Sequence, residues 1–143
     1  MNEKQQPGIK FENIYLIEDS FKRIPIISQR LDIKLDFDIE RHIEKGKSFI
    51  KLKTYLNLIN EKNENEVEIE FSYIANFKEI KGNENMKIAD FLENNAPALM
   101  FPYIRQHIHN KTTIAGLKPL ILPPINIVAL LNERKTNEQN ENV

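Results

Sequence analysis

The chain reads as an α+β protein, a four-stranded antiparallel sheet with two helices on one face. Two observations carry that expectation. Apolar residues alternate with polar ones through four stretches before residue 80, the period of half-buried strands, and then recur at three- and four-residue steps, the period of a helix. Strands and helices segregated along a chain pack as helices laid on one side of a sheet.

The elements follow in order. Ile9 to Glu18 is the least regular strand, because Ile14 and Leu16 fall opposite Ile9, Phe11, Tyr15 and Ile17. Both of its faces are therefore expected to be covered. From Leu31, the residues Leu31, Ile33, Leu35, Phe37 and Ile39 alternate with Asp32, Lys34, Asp36 and Asp38. Ile50, Leu52, Leu56 and Leu58 repeat the pattern, as do Val67, Ile69, Phe71, Tyr73, Ala75 and Phe77. The polar run 60–65 between these last two predicts a hairpin.

After Gly82 the period changes. Lys87 to Asn94 is expected as a short helix or as the first arm of a longer one. Met100, Tyr103, Ile104, His107, Ile108 and Lys111 form one helical stripe, with Asn95 as cap and Pro97 in the first turn. Pro102, lacking an N–H and crowding the carbonyl of Ala98, predicts a kink or break. Gly116 ends the helix, Leu117 to Pro124 runs extended, and Pro124 opens a last helix with Ile127, Val128 and Leu131 on one side. The expected organisation is a disordered polar segment 1–8, one domain over 9–131, and a polar disordered tail 132–143.

Composition narrows the function. The 143 residues carry a formal net charge of −1, so neither nucleic acid nor another polyanion is an expected partner. There is no cysteine, hence no disulfide or thiolate metal site. No run is long and apolar enough for membrane insertion, and a soluble cytoplasmic protein is expected. None of the four glycines belongs to a phosphate-cradling loop. His107 and His109 lie two apart on a helix and cannot chelate one ion as an i, i+4 pair would, so no metal or other cofactor is expected. His42 sits among charged neighbours in an expected loop, and no serine has a nucleophile's setting. An enzyme is not expected.

Three segments carry a resemblance: Ile33-Lys34-Leu35-Asp36-Phe37-Asp38, then Ala96-Pro97-x-Leu99-x-Phe101-Pro102-Tyr103-x-Arg105, then Leu122-x-Pro124-x-Asn126-Ile127 before Ala129-Leu130. In this order and spacing the chain resembles the SecB family of protein-export chaperones from about Phe11 to Leu131. The resemblance implies a homotetramer, a dimer of dimers, that holds unfolded preproteins in apolar grooves without ATP and passes them to the SecA translocase motor. By position it implies groove residues Ile33, Leu35, Phe37, Val67, Ile69, Phe71, Leu120 and Leu122. Plain core packing is the competing role for each. Met100, Tyr103, Ile104 and Ile108 are implied at an oligomer interface, with the subunit's own core as the alternative. Glu18 and Glu70 match acidic positions used for docking on the motor, while a third such position falls on Lys22. Two other functions stay open: a SecB-like chaperone dedicated to one partner such as an antitoxin, and a structural oligomerisation module without clients.

Overall fold

A computed structural model describes residues 8–80 and 87–133. Its elements are β1 (Ile9–Arg23), β2 (Asp32–Glu44), β3 (Lys47–Ile59), β4 (Asn65–Glu79), α1 (Ile88–Asn94) and α2 (Ala96–Ile114). A last helical stretch, α3, spans residues 127–133. The sheet is antiparallel in the order β1-β4-β3-β2. Two hairpins join β2 to β3 and β3 to β4, and residues 24–31 carry the chain from one sheet edge to the other.

One face of the sheet is apolar and lies under the helices. Val67, Ile69, Phe71 and Ala75 on β4 and Ile50, Leu52 and Leu56 on β3 are fully buried there, and Phe37 on β2 nearly so. Helix α2 supplies Ala96, Met100, Ile104 and Ile108 to the same core, α1 supplies Phe91 and Leu92, and Leu122, Ile127 and Leu131 close it. Burying a side chain of this size stabilises by roughly 1.5–3 kcal/mol, so this layer is the main source of stability.

The irregular first strand is explained by two bulges. Phe11 pairs with Phe77 but Asn13 with Asn76, and Leu16 pairs with Tyr73 but Glu18 with Ser72. Glu12 and Ile17 are thus extra residues in the ladder, and each resets the alternation. Ile9, Phe11, Ile14, Asp19 and Phe21 thereby share the helix side, although a strict period of two would put Ile14 opposite the other four. The expectation that both faces of β1 are covered is corrected: Tyr15, Leu16 and Ile17 are exposed.

β2 runs on past its expected end to Glu44 and β3 starts earlier than expected, at Lys47; His42, placed in a loop by sequence, lies on β2 and stacks on Phe49 of β3 with ring centroids 4.8 Å apart. Alternation weakens there because Arg41, opposite Ile50, stands on the apolar side of the sheet while remaining exposed.

Helix α2 is continuous through Pro102, so of the expected kink or break the break is absent. The interruption falls at Asn95, between α1 and α2. Asn95 occupies the N-cap position without a side-chain capping bond, and Pro97 stands in the first turn. At the other end Gly116, with φ of +73°, donates to the Thr113 carbonyl while Leu117 donates to that of Thr112. This paired reversal satisfies the last carbonyls and needs a left-handed residue, hence glycine.

Helix α3 begins later than the proline suggested. Asn126 caps it, its Oδ1 accepting from the Ala129 amide at 3.0 Å, and Pro124 stays in the irregular segment before it. Residues 1–7 and 134–143 lie outside the described residues, and with them most of the disorder expected at the two ends; Gly82 also lies outside. Gly8, assigned to that first segment, is tied to the sheet, its carbonyl accepting from Ile80 at 2.8 Å.

Candidate functional site: accessible apolar surface around the crossover and helix α2

The crossover 117–124 doubles back along α2 and is fixed at two points. The Leu120 amide donates to Thr112 Oγ1 at 2.9 Å, and Arg105 Nε donates to the Leu122 carbonyl at 2.8 Å. Its residues alternate in direction as an extended segment must. Leu122 is buried, Leu120 half-buried and Ile121 points outward, 70% exposed. An open cleft of about 370 Å³ lies here, lined by Pro102, Arg105, Gln106, His109, Ile121 and Leu122.

The eight expected groove positions therefore divide. Val67, Ile69 and Phe71 are sealed beneath the helices, and Phe37 and Leu122 retain 3% exposure each, so in this chain all five are core. Ile33, at 49%, keeps accessible surface on edge strand β2, and Leu35 and Leu120 are half-buried. Alternation names the apolar face correctly but not which parts of it the helices cover. Ile121 was missed, although its place between Leu120 and Leu122 in an extended segment marks it as the outward one.

The interface candidates divide likewise. Met100, Ile104 and Ile108 have no exposed surface left in the single chain and serve its own core, whereas Tyr103 is 45% exposed. The outward side of α2 is unusual in another respect. Its exposed residues are Ala98, Leu99, Pro102, Tyr103, Gln106, Asn110, Thr113 and Ile114, and none is charged. The two cations of the helix turn inward, Arg105 to Leu122 and Lys111 to Asp19.

His107, 8% exposed, links helix to sheet. Its Nε2 lies 2.9 Å from Asp19 Oδ1 on β1 and its Nδ1 is 3.1 Å from the Tyr73 hydroxyl on β4. The ring packs on Phe71 with centroids 4.1 Å apart. One ring thus engages both neighbours, Nε2 the carboxylate and Nδ1 the hydroxyl. Burial pushes the Asp19 carboxyl up, but hydrogen bonds from Lys111 and His107 outweigh it and hold the group below its usual range. Burial, with the Asp19 charge nearby, raises the Tyr73 phenol.

The opposite face of the sheet is polar and open. Lys51 Nζ of β3 stands 3.0 Å from Glu18, and Lys53 lies 3.9 Å from both Glu18 and Glu70. The bond from Lys51 and its charge draw the Glu18 carboxyl below the ordinary value. The two expected docking acids are thus neighbours on one face, each compensated by a lysine. Among the described residues no helix is long and apolar enough to cross a membrane.

Taken as a class, this is a small α+β protein whose distinctive surface is uncharged helix and uncovered aliphatic side chain. A family model described as preprotein translocase subunit SecB matches residues 2–138, and the chain belongs to the SecB family. The protein-export protein SecB of Nitrosospira multiformis is 28% identical to it, over 97% of this chain and 90% of that protein. The uncharacterized protein MJ0357 of Methanocaldococcus jannaschii is 26% identical over 93% of this chain and 89% of its own length. Among solved structures, the SecB-like chaperone Rv1957 of Mycobacterium tuberculosis, in complex with a ChAD peptide from the Rv1956 HigA1 antitoxin, superposes with a TM-score of 0.69. It covers 82% of this chain and 91% of that one at 18% identity, a likeness of fold.

Proposed function

We propose that the protein is an ATP-independent holdase of the cytoplasm that binds unfolded polypeptides, with preproteins bound for the Sec translocase as its default clients. The observation that carries this is the aliphatic surface left uncovered at Ile33 and Ile121 beside an otherwise closed core, in a chain of the SecB family. An unfolded client offers apolar side chains in no fixed order, and it is held by apolar area, about 25 cal/mol per Å² before ordering costs, not by a polar constellation. Binding the unfolded form delays folding by mass action.

The charge-free side of α2 supports assembly into a homotetramer, a dimer of dimers. Interface cores are depleted in charge, and in a chain with 29% charged residues the exposed side of α2 from Ala98 to Asn110, which has none, is the natural seat for another copy. Of the four interface candidates Tyr103 stays as an apolar contact, and Leu99 takes the place of Met100, Ile104 and Ile108.

A second reading, a chaperone dedicated to one partner such as an antitoxin, is favoured by one observation. Glu18 and Glu70 are paired with Lys51 and Lys53, so these two acids are not offered bare to the SecA motor. Copurification separates the readings. Precursors and SecA in the eluate support export, and a single small protein supports dedication. A purified protein that leaves an aggregating, denatured test protein as turbid as buffer does rules out both.

A further inference from the structure

The connection 24–31 crosses the end of the sheet, and one buried carboxylate holds it. Glu66 is 4% exposed and no cation among the described residues lies within ion-pair distance of it. It is the surplus residue of a third irregularity: Leu58 pairs with Val67 but Ile59 with Asn65, so Glu66 is released from the ladder and re-aimed. Its Oε1 accepts from the Ser28 amide at 2.7 Å, and its Oε2 from the Ser28 hydroxyl at 2.6 Å and from Asn60 Nδ2 at 2.8 Å. Its carbonyl accepts from Ile24 at 3.0 Å. Asn60 is itself fixed, its Oδ1 accepting from the amides of Lys62 and Glu64.

Arg23 completes the arrangement from the other side. Its guanidinium donates to the carbonyls of Ile24 at 2.9 Å and Pro25 at 2.8 Å, and to that of Ala115 at 2.7 Å, just past the end of α2. Ile26 and Ile114, the two most exposed large apolar side chains among the described residues at 86% and 80%, therefore stand on segments joined by one guanidinium. Since the carbonyls between them are occupied, what this place offers a partner is aliphatic contact.

We propose that Glu66 is a positioning residue for client capture, holding residues 24–31 so that Ile24 and Ile26 extend the apolar surface at the end of α2 for an extended, apolar-rich segment of an unfolded polypeptide. This rests on the holdase function. The hydrogen bonds from the Ser28 hydroxyl and amide keep the Glu66 carboxyl below its usual range, so the latch stays charged and closed near neutral pH.

The test uses the full chain and, as client, a permanently unfolded reduced and carboxymethylated α-lactalbumin labelled for fluorescence anisotropy. Ile26→Asp is expected to weaken binding about tenfold with melting temperature and molecular mass unchanged, since the side chain is exposed. Ser28→Ala is expected to speed amide exchange across residues 24–31 about tenfold, leave β3 unchanged and weaken binding about threefold. Parent-like binding by Ile26→Asp overturns the proposal while leaving the holdase function standing, as does unchanged exchange in Ser28→Ala. A shift in mass for Ile26→Asp also overturns it, assigning the surface to contact between copies. A parent that does not bind removes the holdase function itself.

Discussion

Glu18 on β1 reaches across β4 to meet Lys51 on β3, carboxylate to ammonium at 3.0 Å. Ser72, its partner in the ladder, is small enough to let it pass. The pair ties an edge strand to a central one and removes an anion from the open face.

Replacing Lys51 with alanine is expected to return the Glu18 carboxyl toward its ordinary value, because Lys51 supplies both the hydrogen bond and the leading charge that lower it. Carboxyl-carbon NMR titration of parent and variant measures this. An identical Glu18 titration in the two would deny the pairing.

Acid should unfold the protein through its tied carboxylates. Glu18, Asp19 and Glu66 all titrate below their usual values when folded. The unfolded chain therefore binds more protons as pH falls, so the stability they contribute is complete above about pH 5 and is lost below it. Urea midpoints from pH 7 to pH 3 test the slope, which Asp19→Asn should make shallower. A midpoint flat to pH 3 would contradict it.

Thr54 is fully buried on the core side of β3, and its hydroxyl has no hydrogen-bond partner among the described residues. Thr54→Val keeps the shape and removes an unsatisfied polar atom, so a gain of about 1–2 kcal/mol is expected in chemical denaturation. A loss would mean that the hydroxyl is satisfied in solution.

Core and client surface should separate cleanly. Phe71→Ala empties a sealed position and is expected to cost about 3–5 kcal/mol. Ile121→Asp alters an exposed one and is expected to stay within about 0.5 kcal/mol while weakening suppression of aggregation. Equal destabilisation by the two would refute the division of the groove candidates.

Charges placed on the outward side of α2, Leu99→Glu with Tyr103→Glu, should lower the mass measured by light scattering while helical content is kept. An unchanged mass would move the contact between copies elsewhere.

Much of the architecture was legible because β2, β3 and β4 keep their alternation wherever they lie over the helices, and because Gly116 marks a helix end with its own chemistry. β1 resisted, since a bulge changes the phase of a strand without any residue type that announces it. Glu66 was hidden for the same reason: it sits in an alternating run of glutamates, and only the slip in register turns it inward. The site was less legible than the fold. Ile33 and Phe37 look alike in sequence, yet one is half uncovered and the other sealed, a difference set by how far the helices reach.

The surplus residues of β1 also bear on how this chain can vary. Without Glu12, Phe11 would still face Phe77 and Asn13 would still face Asn76; the same holds for Ile17 between Leu16 and Glu18. A gap opening at either spot leaves every neighbouring partnership intact, whereas a single deletion elsewhere in the strand turns the side chains between it and the nearest bulge inside out. Length differences among relatives should gather at these two places.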